Sequence, residues 1–188
     1  KARASAELEA GQLGASGALG GTAYPLRAWG LSVHLQSQES IEDNLRFLVK
    51  EVLRQVHRSR AYLASPSRAL RKSLVSRDDY IDNLRTFIQR GCFLRAAEQG
   101  DIEYLKSVDI IAINLERIAD FCENLIDQFD HLPQGTVVPA EHFDAFFECV
   151  EGGLDKVETA VMRRDVRAAL TIAEAEPRLD KLYARQFA

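Results

Sequence analysis

The chain has 188 residues, 46% hydrophobic and 28% charged, with a formal net charge of −4. That mix is too apolar for a disordered chain and suits one large domain or two small ones. The acidic balance argues against a general nucleic-acid binder. The longest uncharged stretch, residues 10–26, is Gly/Ala-rich and holds too few large apolar side chains to cross a membrane.

Residues 1–23 carry Gly at 11, 14, 17, 20 and 21. Ordering such a segment costs much backbone entropy and buries little, so it reads as a tail or linker. Leu31, Val33 and Leu35 alternate as in a short strand, beside Trp29, but one strand cannot fold alone. Residues 1–38 are therefore expected to be an N-terminal extension.

From Glu39 onward the pattern is helical. Ser40 can cap a first helix, with Glu42 and Asp43 in its first turn. Leu45, Leu48, Val49, Val52, Val56 and Leu63 recur at three- and four-residue spacing. Arg46, Lys50, Arg54 and Arg58 line another face, a solvated stripe or a docking surface for an acidic partner. Ser65-Pro66-Ser67 ends this helix. A second spans about 68–98, with Leu70, Leu74, Ile81, Leu84, Ile88 and Leu94 inward, and stops at Gln99-Gly100. A third, capped by Asp101, reaches about Asp130, with an apolar stripe of Leu105, Val108, Ile111, Leu115, Ile118, Cys122, Leu125 and Phe129. A fourth is expected over 140–163, and a fifth from about Asp165 to the chain end. Short turns make neighbouring helices antiparallel. The expected class is all-α, with tandem antiparallel three-helix bundles: residues 39–132 form the first, and 137–188 the first two helices of a second whose third would follow Ala188.

An internal repeat supports two bundles. Shifted by 98 residues, Asp78 and Asp82 fall on Glu176 and Asp180, Ile81 on Leu179 and Leu84 on Leu182. Cys92, Cys122 and Cys149 form no CxxC and have no nearby His pair, so they read as reduced core thiols of a cytoplasmic protein.

The chemistry lies in the acidic pairs. Asp78/Asp82 and Glu116/Asp120 are both i, i+4, a spacing at which like charges repel. The centres of the two pairs are equidistant from the Gln99-Gly100 turn, so an antiparallel hairpin sets them at one height. Four carboxylates in one patch suppress each other's ionisation unless a cation neutralises them. Asn124, four residues beyond Asp120, could add a neutral oxygen. No His stands at helical spacing from these acids, which disfavours a Glu-x-x-His di-iron site, and an all-oxygen set suits Mg, Ca, Mn or oxidised iron better than structural zinc. The competing reading is a solvated acidic face, since residues 101–130 carry eight acids against Lys106 and Arg117. No nucleophile–base pair, phosphate-cradling Gly loop or dinucleotide fingerprint is present, so an enzyme is not expected.

Arg77-Asp78-Asp79-Tyr80-Ile81-Asp82-Asn83-Leu84 and, above all, Leu115-Glu116-Arg117-Ile118-Ala119-Asp120 with Asn124 resemble the PhoU family. That family repeats E/DxxxD motifs on successive three-helix bundles, and its third helix reads L-E-R-I-G-D with Asn four residues later. The resemblance covers about residues 40–188. It implies iron or zinc clusters at the acidic motifs, with Asp78, Asp82, Glu116 and Asp120 as ligands in the first bundle and Glu176 and Asp180 in the second. It also implies regulation of phosphate uptake through a phosphate transporter or a sensor histidine kinase, at most peripheral to the membrane. A homodimer is compatible with it. Two departures stand out: Ala119 replaces the usual Gly, and Pro177 follows Glu176, where it should kink or restart the helix. The alternatives are a carboxylate-bundle metal-storage or redox protein and a purely structural dimerisation module.

Overall fold

The computed structural model describes residues 40–99, 101–133, 136 and 138–186. The expected N-terminal extension, with the alternating segment around Trp29, lies outside the described residues. Three long helices, α1 (Ile41–Ala64), α2 (Arg68–Gln99) and α3 (Ile102–Asp130), are followed by a 3-10 turn (Ala140–Phe143), α4 (Asp144–Met162), α5 (Val166–Ala173) and α6 (Ala175–Gln186). No strand occurs among the described residues, and none of their helices is long and apolar enough to cross a membrane.

Local chemistry sets the helix ends. The Ser40 Oγ accepts the Asp43 N–H at 3.1 Å and caps α1. Pro66 lies in the turn after α1, and Ser67 Oγ accepts the Leu70 N–H at 3.2 Å, opening α2. Asp101 precedes α3 but its side chain caps nothing. Asp165 accepts the N–H groups of Arg167 and Ala168 and caps α5.

The single fifth helix expected from the sequence is two. Pro177 lacks an N–H, and its ring would clash with the carbonyl four residues back, that of Ala173. The chain therefore stops α5 at Ala173 and restarts at Ala175, with Pro177 in the first turn of α6.

α1, α2 and α3 pack mutually into an antiparallel bundle. Its core holds Leu45, Leu48, Val52 and Val56 from α1, Ile81, Leu84, Ile88 and Cys92 from α2, and Leu105, Val108, Ala112, Leu115, Ala119 and Cys122 from α3. A smaller cluster of Tyr62, Leu74 and Ile126 closes one end. At Gly91 a Cβ would come within 3.0 Å of Ile41 Cγ1, so the missing side chain lets α2 approach the start of α1. α4 packs on α1 and contributes Leu154 to the same core, while α5 and α6 pack on α4.

The inward face of α3 differs from the expected stripe. The buried residues are Leu105, Val108, Ala112, Leu115, Ala119, Cys122 and Ile126. These follow an unbroken 3,4 alternation, a coiled-coil-like seam. Ile111 and Ile118 are half-buried beside it, and Leu125 is 37% exposed. Weighting large side chains picks Ile111, Ile118 and Leu125. The packing instead takes the neighbouring Ala112, Ala119 and Ile126; at the first two, small side chains let three helices close on one another, and Ile126 continues the same line. Leu94, expected inward on α2, is 68% exposed.

Candidate metal centre

The seam decides where the acids go. Glu116, Asp120 and Glu123 each follow a buried seam residue (Leu115, Ala119 and Cys122), so they flank the α3 core line on one side. On α2 the buried positions run Leu74, Ile81, Leu84, Ile88 and Cys92. The helical period asks for an apolar residue between Leu74 and Ile81, and Asp78 stands there, half-buried. Asp82, one turn later, reaches the rim and is exposed.

Carboxylate oxygens of Asp82, Glu116 and Asp120 lie within 4.8 Å of one another. The matched height of the two pairs is thus realised across α2 and α3. Asp78 joins this group electrostatically. Burial, a hydrogen bond with Glu123 and the charges of Glu123, Asp120 and Asp82 push its carboxyl up to about 7. Burial and then the neighbouring Asp120 raise Glu116, and burial and then Asp82 raise Asp120. Arg85 draws Glu116 back down, and Arg117 followed by Arg85 does the same for Asp120. Glu123 is the member that the motif reading missed. It stands three residues past Asp120 instead of four, in a segment crowded with acids.

Ion pairs elsewhere in this molecule are plentiful, yet among the described residues none involves Asp78, Asp82, Glu116, Asp120 or Glu123. Asp78 Oδ1 is buried with no hydrogen-bond partner. A buried oxygen acceptor without a donor costs free energy that a cation would recover. The donor set contains only oxygens, and on both counts the residues fit a hard metal ion.

Behind Asp78 the bundle holds a polar layer. Gln55 and Ser59 of α1 are fully buried on its core-facing side. The Gln55 amide donates to the Leu74 carbonyl at 3.0 Å, and Ser59 Oγ donates to the Gln55 carbonyl at 3.0 Å. Cys122 is buried and its thiol is pushed up by burial, with Ser59 and Asp78 among its neighbours. The three cysteines are buried free thiols, as the sequence suggested.

The other sequence candidates fall elsewhere. Glu176 and Asp180 are both exposed on α6, and no group of ligand-type side chains forms around them among the described residues. Asn124 is exposed on α3. His57, 56% exposed, faces Glu151 of α4 at 3.6 Å, away from the acids.

The basic stripe on α1 is divided. Arg46 pairs with Asp43 at 2.9 Å and with Glu158 of α4 at 3.2 Å, so it ties two helices together. Arg54 pairs with the buried Glu51. Lys50 is exposed and Arg58 half-buried. Arg60, outside the predicted line, completes the α1–α4 contact through Asp144 at 2.7 Å and Glu151 at 3.3 Å.

A family model described as the PhoU domain matches residues 45–128, from the first buried leucine of α1 nearly to the end of α3. No curated protein and no solved structure matches the chain. The matched span holds the whole acidic cluster and its bundle. Over residues 45–128, less than half of the chain, this bundle is similar to a PhoU domain.

Proposed function

We propose that this chain is a metal-binding regulator of phosphate uptake that works in the cytoplasm by docking to a phosphate transporter or a sensor histidine kinase. The observation that carries the metal is the approach of Asp82, Glu116 and Asp120 oxygens to within 4.8 Å, with no arginine or lysine ion-paired to them among the described residues. Asp78, Asp82, Glu116 and Asp120 would hold the ion, with Glu123 beside Asp78. Oxygen donors suit Mg, Ca, Mn or oxidised iron, and the family resemblance adds iron or zinc.

The ion would neutralise the cluster and cross-link α2 to α3. The chain's own residues set up that role: the seam fixes the height of Glu116 and Asp120, and the polar layer of Gln55 and Ser59 backs Asp78. Glu176 and Asp180 would be half of a second site that needs a further helix to complete it. Docking would use the outer face of α1, where Lys50 and Arg54 reach solvent and Arg46 and Arg58 flank them.

Elemental analysis of protein purified without a metal-binding tag tests the reading. Stoichiometric metal is expected in the native protein and is lost in Asp120→Asn and Glu116→Gln, with far-UV helicity unchanged. Equal metal content in both variants and the native protein would overturn the ligand assignment. Oxygen-dependent turnover of ferrous iron would instead favour a storage or redox role.

A further inference from the structure

Glu51 of α1 is a buried carboxylate, 4% exposed, on the side of the bundle where α1 meets α2. Three arginines surround it. Arg54 Nη1 hydrogen-bonds its Oε1, and Arg77 Nη1 of α2 lies 3.5 Å from its Oε2. Arg58 is close enough to feel the attraction of Glu51 and the repulsion of both Arg54 and Arg77. One negative charge therefore faces three positive ones.

The donors outnumber the acceptors. Each guanidinium carries five N–H donors, whereas a carboxylate offers two oxygens. Arg58 Nη1 is buried with no acceptor, and Glu51 Oε2 has no hydrogen bond within normal geometry. Arg58 pairs with no acid among the described residues. Arg54 and Arg58 also repel each other as like charges at i, i+4. The cluster remains open, since the Arg54 side chain is 58% exposed and that of Arg77 41%.

We propose that Arg54, Arg58 and Arg77 bind a phosphate group, with Glu51 anchoring the guanidiniums from the core side. The excess of about two positive charges matches the charge of about −1.5 to −2 on a phosphate monoanion–dianion near neutral pH. The planar forks supply paired donors to its oxygens, which lysines could not do as well. The ion would relieve the mutual repulsion and satisfy the stranded Arg58 donor. This site is built from α1 and α2 and does not rest on the metal assignment.

Titration calorimetry of the full chain with inorganic phosphate, against chloride at matched ionic strength, tests it. Saturable one-to-one binding is expected, weakened about tenfold or more in the Arg54→Gln/Arg58→Gln double variant. Both changes lie on α1, so the acidic cluster of α2 and α3 keeps its residues. If the double variant loses helicity, Arg54→Gln alone carries the test, because that side chain is exposed, with about a threefold or larger loss expected. A parallel titration with phenyl phosphate separates the sources: tighter binding of the monoester points to a phosphorylated group on a partner, and tighter binding of inorganic phosphate to the free ion. No saturable binding of either, a response reproduced by chloride, or equal affinity in a folded variant would overturn the site.

Discussion

Asp78 is where packing and charge conflict most directly. Its position belongs to the apolar face of α2, and its carboxyl is held up at about 7 by burial and by Glu123, Asp120 and Asp82. The consequence for stability has a definite sign. In metal-free protein the folded chain keeps this proton up to about pH 7, whereas the unfolded chain releases it near the ordinary aspartate value of 3.8. Between those limits the folded state binds more protons, so stability falls as pH rises and then levels off. Urea unfolding in EDTA should show that decline, and Asp78→Asn should flatten it; an unchanged slope in the variant would remove Asp78 as the titrating group. Added metal should act in the opposite sense. It binds the deprotonated carboxylates, so its stabilising effect should grow over the same pH range. The i, i+4 spacing made Asp78, Asp82, Glu116 and Asp120 legible from sequence. Glu123 was not, because its partnership with Asp78 crosses between helices.

At the scale of single helices, α3 separates what spacing reveals from what packing selects. Leu105, Val108, Leu115 and Cys122 were legible because they are apolar at helical spacing and are buried. The remaining choice lay between adjacent residues 100° apart on the helix, and Ala112, Ala119 and Ile126 won over Ile111, Ile118 and Leu125. Leu115→Ala should cost about 2–5 kcal/mol in chemical denaturation, since the site is 3% exposed. Leu125→Ala, on the half-open face, should cost less than about 1.5 kcal/mol. Reversal of that order would mean that the seam is rotated back. Ala119→Leu should also destabilise, by about 1–3 kcal/mol, because a fully buried alanine between packed helices leaves no room. The same rotation carries Glu116 and Asp120 to the flank of the seam, so the core and the acidic cluster share one cause.

In the whole molecule, α1 packs against three helices. Its apolar face meets α2 and α3, and its polar side meets α4 through Arg46–Glu158, Arg60–Asp144 and Arg60–Glu151. These pairs are partly exposed, so solvent screening keeps each contribution small. The apolar anchor is Leu154, 3% exposed and joined to the bundle core. Leu154→Ala should therefore cost about 2–5 kcal/mol and raise amide exchange in α4 before α3. Uniform loss of protection would mean that α4 and the bundle unfold as one. Arg164, with φ of 51°, ends α4 in the left-handed region, sits over the Tyr104 ring at 5.1 Å and faces Asp101 at 3.6 Å. The turn after α4 is thereby tied to the start of α3. Metal removal acts at this scale too: EDTA should lower the melting temperature of the native chain and leave Asp120→Asn unchanged, since a ligand bound to the folded state stabilises it by mass action.

Caps, prolines and hydrophobic period acted locally, so the sequence alone determined the all-helical architecture of the described residues, the ends of their long helices and the shared height of the two acidic pairs. Pro177 even marked the break between α5 and α6. Rotation about each helix axis was decided only by tertiary packing. It depends on which small side chains let three cylinders close together, and a shift of one residue changes no local preference. The same holds for the arginines of α1. Their spacing looked like one continuous stripe, but whether each met Glu51, Glu158 or solvent was settled by which helix came to lie beside it.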